Sequence, residues 1–105
     1  MYRQGDVLSV PVPPAGVPAC APVPRDPRGR MVLARGEATG HAHVVGGPGV
    51  RLVAGLDDPE LMFVEVPAHG RVSHEEHGPI ALPPGVYRVV RQREYVPGAF
   101  RPVAD

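Results

Sequence analysis

All five histidines of the chain fall between residues 41 and 77, and four of them form two tight groups, "HAH" with His41 and His43, and "HEEH" with His74 and His77. Imidazole is the commonest metal-binding side chain, and the only one that titrates near neutral pH unaided. On a strand, side chains two apart share a face and those an odd number apart oppose each other. His41 and His43 are therefore expected to point together, with Ala42 and Val44 on the other side. In "RVSHEEH" the same rule sets Val72, His74 and Glu76 on one face, and Arg71, Ser73, Glu75 and His77 on the other. Either face, joined to His41 and His43, supplies three imidazoles and one carboxylate. That set suits one transition-metal ion, whether Zn, Fe, Mn, Ni or Cu. Val72 marks its face as inward and Arg71 marks the other as solvated, so the expected ligands are His41, His43, His74 and Glu76. A bulge before "HGP" would bring in His77 as well. His69, before a glycine in "PAHGR", reads as a turn residue.

Two other uses compete for these residues. The pairs can be half-exposed polar strand positions, or a metal-free histidine and carboxylate site that cleaves phosphodiesters or similar bonds by general acid/base catalysis. A different class of function rests on "VYRVVRQREY", where Tyr87, Val89, Arg91, Arg93 and Tyr95 share one face. Arginine interleaved with tyrosine can stack bases and grip phosphates, or meet a protein partner; a solvated, edge-protecting strand is the plainer reading. Cys20 has no Lys or His beside it in sequence and reads as an incidental small apolar residue.

The elements that must position these groups are strands. With 13 Gly and 15 Pro in 105 residues, few windows are free of helix breakers, and an interior proline costs a helix about 3 kcal/mol. Only "DDPELM" could form a helical turn, with Asp58 as cap and Pro59 in the first position. Apolar runs of strand length occur at "DVLSVPV", "RMVLARGEA", "HAHVV", "VRLVAG", "LMFVEVP", "RVSHEEH", "PIAL" and "VYRVVRQREY". "LPPGVY" reads as a type II turn with Gly85 at positive φ, launching a strand from Val86 to Tyr95. The proline-rich stretch at about residues 11–29 is expected to be a polyproline-like surface loop.

Composition narrows the remaining possibilities. Eleven Arg balance 11 Asp plus Glu, so no global field draws the protein to nucleic acid or an anionic membrane. A single cysteine allows neither an intramolecular disulfide nor a thiolate zinc site. The N-terminus lacks a basic region followed by an apolar one, and no run reaches the roughly 18 apolar residues of a membrane span. These features lead to the expectation of a cytoplasmic protein that does not enter membranes. A barrel this small often leaves edges that pair with a second copy, so a homo-dimer is compatible with the pattern.

The motifs also carry a family resemblance. "GEATGHAH", with the His-x-His pair His41 and His43, and "GPIALPPGVYR", from Gly78 through Pro83 and Gly85, resemble in parts the two motifs of the cupin class. That resemblance implies a double-stranded β-barrel whose metal is held by three His and one Glu. The sequence departs from the pattern: no Glu follows the pair at the usual distance, and Arg88 stands where the final His would be, so "HEEH" would have to supply the missing ligands. The segments "YRQGDV", "TGHAH", "HEEHGPIALPPGVYRVVRQREY" and "VAD" are also similar to those of short uncharacterised bacterial proteins. The expectation is a single all-β domain over residues 1–105, a small cupin-like β-barrel or sandwich of about 7–8 short antiparallel strands with little or no helix. In it a transition-metal site could act on a small-molecule substrate.

Overall fold

The computed structural model describes residues 1–35 and 41–91, together with the backbone of residues 95–96 and 99–102. All eight expected apolar runs contain strands: β2 (Val7–Val12), β4 (Met31–Arg35), β5 (Ala42–Gly46), β6 (Arg51–Gly55), β7 (Met62–Val66), β8 (Gly70–Ser73), β9 (Ile80–Leu82) and β10 (Gly85–Arg91). Four further short strands were not anticipated: β1 (Tyr2–Gln4), β3 (Cys20–Pro22), β11 (Tyr95–Val96) and β12 (Ala99–Pro102). β11 and β12 pair with each other, and among the described residues with no other strand. The strand count thus exceeds the expected one, because three-residue strands with no apolar alternation leave no period-two signature.

Six strands form one antiparallel sheet in the order β1-β2-β10-β7-β6-β3, and four form a second in the order β4-β5-β8-β9. Both contribute to one core. Val7, Leu52, Val64, Val66, Tyr87 and Val89 come from the first sheet, and Met31, Leu33, Val45, Val72 and Leu82 from the second. Among the described residues no ladder joins the sheets, so the closed barrel implied by the cupin resemblance is replaced by two open sheets. Little apart from strand is regular: the 3-10 turn Pro14–Gly16 is the one helical element among the described residues.

Two local expectations need correction, and a third is met. The proline-rich segment is not wholly coil, since Cys20, Ala21 and Pro22 pair with Gly55, Ala54 and Val53 of β6. Proline is tolerated there because β3 is a sheet edge, where a missing N–H breaks no second ladder. "DDPELM" makes the single turn expected of it, capped by Asp58: Asp58 Oδ1 accepts from the Glu60 N–H at 3.1 Å, and the Leu61 N–H donates to the Asp58 carbonyl at 3.0 Å. At "LPPGVY" Gly85 has φ of 154°, far from the +80° of a type II turn, and is already the first residue of β10. That corner is held by the Tyr87 hydroxyl, which donates to the Pro83 carbonyl at 2.5 Å.

The β1–β2 hairpin packs against the histidines, with Gln4 and Asp6 close to His43 and Gly5 under His77. Gln4 pairs with Val7 across a two-residue turn of Gly5 and Asp6. Gly5 has φ of 59° while Asp6 has no positive φ, the II′ pattern in which the first central residue is glycine.

Candidate metal centre

His41 immediately precedes β5, and His43 lies inside it. A register shift between Val32 and Ala34 turns both Leu33 and Ala34 inward on β4 and sets Ala34 opposite His43. His43 is only 3% exposed and Ala42 beside it is 1% exposed, whereas His41 is half-buried. The expected same-face pair thus has unequal burial. His41 stands at the rim and His43 at the bottom.

The "HEEH" segment is not the continuation of a strand. β8 ends at Ser73, and residues 74–77 bend back toward the start of β5. The Glu76 N–H donates to His74 Nδ1 at 3.0 Å, closing a tight local turn. Period-two alternation therefore does not govern these residues, and side chains assigned to opposite faces converge. His74 approaches both His41 and His43, with ring centroids 5.6 and 4.3 Å apart. His77 lies 4.7 Å from His74 and 5.9 Å from His43. Four imidazoles from two segments thus gather in one place, as the clustering in sequence led one to expect.

The carboxylates fall differently. Glu75 Oε1 accepts a hydrogen bond from the Ala42 N–H at 3.0 Å. That bond, aided by the nearby His41 and His74, holds the Glu75 carboxyl below its ordinary pKa. Ligand atoms of His41, His74 and Glu75 all lie within 4.8 Å of one another, a spacing that could hold a metal ion. Glu76, the carboxylate favoured by the strand argument, lies with Oε1 3.6 Å from His41 Nδ1 and is well exposed. Asp6, which no sequence argument singled out, reaches His43 Nε2 at 3.6 Å from the β1–β2 turn.

Gln4 was equally unforeseen. Its side chain is buried, and its Nε2 donates to the carbonyls of Val72 at 3.0 Å and Gly78 at 2.9 Å. Its Oε1 stands 2.9 Å from His43 Nδ1. Burial is the main cause that pushes the His43 pKa down from its ordinary value, and the neighbouring His74 adds to it; Asp6 opposes both. A glutamine on β1 is 39 positions from His43, and only the "QG" before an aspartate hints at a turn there. The sequence held no signal that could place it on an imidazole.

His77 is exposed, yet its ring packs on Gly5, so closely that a Cβ on Gly5 would come within 2.8 Å of His77 Nε2. His69 is exposed and lies in the bend between β7 and β8. On β10, Tyr87 and Val89 turn into the core, and Tyr87 packs edge-on against Tyr2 with centroids 5.7 Å apart. Of the proposed arginine and tyrosine face, only Arg91 is exposed among the described residues. Arg93 and the side chain of Tyr95 lie outside the described residues, as do residues 36–40 at the start of the first cupin-like motif and the closing 103–105. Arg88, at the position of the absent cupin histidine, points outward from β10. No helix among the described residues is long and apolar enough to cross a membrane.

No curated protein and no solved structure matches the chain. A family model does match, over residues 3–92, a span that holds Gln4, Asp6 and all four clustered histidines. The chain therefore belongs to the DUF8820 family, a domain of unknown function.

Proposed function

We propose that the protein binds one transition-metal ion through His41, His74 and Glu75, with His43, Glu76 and His77 lining the same site. The observation that carries this reading is the convergence of two imidazoles and a carboxylate within 4.8 Å, beside two further imidazoles. Two histidines and one carboxylate suit Fe(II), Zn, Mn, Ni or Cu and leave coordination positions open. Such an ion would polarise a small-molecule substrate or lower the pKa of a bound water. This chain's part is to orient the donors: the Ala42 N–H fixes one oxygen of Glu75 and leaves the other available. The turn at Glu76 sets His74, and an ion on that ring must displace either the Glu76 N–H from Nδ1 or the proton from Nε2.

Elemental analysis of untagged protein as purified is the test, followed by titration with Zn(II), Ni(II), Mn(II) and Fe(II). The expected result is close to one ion per chain, lost in His41→Ala and His74→Ala and weakened in Glu75→Gln. Metal well below one per chain, with no binding of any added ion, would overturn the reading.

A further inference from the structure

We propose that His43 and Asp6 belong to the ligand set of this centre, and that Gln4 is the positioning residue that prepares His43 for it; the inference rests on the metal reading above. The argument begins with hydrogen-bond chemistry. Carbonyl oxygens only accept, so the Gln4 side-chain atom lying between the Val72 and Gly78 carbonyls, at 3.0 and 2.9 Å, must be the amide nitrogen with both hydrogens engaged. The amide oxygen is thereby turned to His43 Nδ1, 2.9 Å away. An amide oxygen also only accepts, so Nδ1 must carry a proton. In neutral His43 the lone pair is then on Nε2.

That lone pair faces a second Lewis base. Asp6 Oδ1 lies 3.6 Å from His43 Nε2, too far for a hydrogen bond and without a proton to share when the ring is neutral. A cation between them would resolve this opposition. With metal to nitrogen and oxygen lengths of about 2.0–2.2 Å and a tetrahedral angle, two ligand atoms on one ion lie about 3.4 Å apart. The observed gap is close to that value, and His41 Nδ1 and Glu76 Oε1 stand at the same 3.6 Å. The His43 ring packs on His74 with centroids 4.3 Å apart, so the pair lies beside the His41, His74 and Glu75 group, whose donor atoms are the ones already within 4.8 Å of one another, and it joins that group by side-chain movement on binding the ion.

Asp6 is delivered by a turn built for the purpose of reversing the chain in two residues. The II′ conformation needs a glycine at position 5, and it leaves Asp6 at the hairpin tip, where its carboxylate is 67% exposed. Replacing that carboxylate should therefore leave the fold intact. Gln4, by contrast, bridges the Val72 and Gly78 carbonyls and a buried imidazole.

The test uses the full chain and Zn(II). Long-range proton–nitrogen NMR of the metal-free protein at about pH 8, above the ordinary histidine pKa, should show His43 with its proton on Nδ1. Adding Zn(II) should move the Nε2 resonance of His43 together with the ring nitrogens of His41 and His74. Asp6→Asn should weaken Zn(II) about tenfold or more. Gln4→Leu should weaken it about 10–100-fold and release the His43 tautomer, in keeping with the usual effect of losing a partner behind a metal-binding histidine. If Gln4→Leu does not fold, the wild-type spectra and the Asp6→Asn titration decide alone. Zn(II) that moves His41 and His74 but leaves His43 unmoved, with Asp6→Asn binding normally, would overturn this inference and leave the metal reading standing. Zn(II) that moves no ring would overturn both.

Discussion

Asp26 anchors the loop before β4 with one carboxylate. Its Oδ1 accepts from the N–H groups of Arg28 at 3.0 Å and Arg30 at 2.7 Å, and its Oδ2 accepts from Arg30 Nε at 2.8 Å. The backbone hydrogen bond from Arg30 is the chief cause that lowers the Asp26 pKa from its ordinary value, and the Arg30 guanidinium adds to it. A carboxyl whose pKa is lower folded than unfolded binds fewer protons in the native state, so its stabilising effect is full above the unfolded value and fades as pH falls through the folded one. Wild type should therefore be more stable than Asp26→Asn at neutral pH, and the difference should shrink once the pH drops below about 4. Denaturant unfolding of both proteins at a series of pH values checks this, and a gap that stays constant in acid would contradict it. At this scale the sequence was partly legible. Histidine clustering marked four imidazoles that gather in space, but the carboxylate grouped with His41 and His74 is Glu75, and Gln4 and Asp6 meet His43 through tertiary contacts that no local pattern encodes.

Strands were the best-read elements because their apolar residues alternate or run together. Val64 and Val66 on β7 are buried at period two, and so are Tyr87 and Val89 on β10, the face that the sequence reading had left to a partner or to solvent. The rule failed where the strand ended: after Ser73 the chain bends, so the two-face reading of "HEEH" had no ladder to support it. β1 escaped notice because "YRQ" has no apolar stripe, and β3 because proline disguises an edge strand. The β1–β2 hairpin nonetheless carries two residues of the candidate site, and its geometry hangs on Gly5. An L side chain at φ of 59° is strained by about 1–2 kcal/mol, and here a Cβ would also push against the His77 ring. Gly5→Ala should thus lower unfolding free energy by about that amount and shift the His77 ring resonances. A variant as stable as wild type, with His77 unmoved, would show that the turn adapts freely.

The candidate centre lies where the two sheets meet. Gln4 and Asp6 belong to the hairpin of the six-stranded sheet, His43 to the four-stranded sheet, and His74 to the segment that follows β8. A bound ion would join parts of the chain that are far apart in sequence and would favour the folded state alone. An ion at 100 times its dissociation constant then adds about 2.7 kcal/mol to the unfolding free energy. In a chain of 105 residues each kcal/mol moves Tm by roughly 4–8 °C, so saturating Zn(II) should raise Tm by on the order of 10 °C. Binding of Zn(II) by the unfolded chain's own histidines would reduce that rise, which makes the control essential. The His41→Ala/His74→Ala double variant keeps three of the five histidines and so retains most of any unfolded-state binding, but it lacks two donors of the proposed site. Thermal melts with and without Zn(II), and again after a chelator, should show a reversible rise in wild type and almost none in the double variant. An equal rise in both would mean that Zn(II) acts elsewhere on the protein, and no rise in either would mean that the gathered imidazoles serve the core and the surface without a metal.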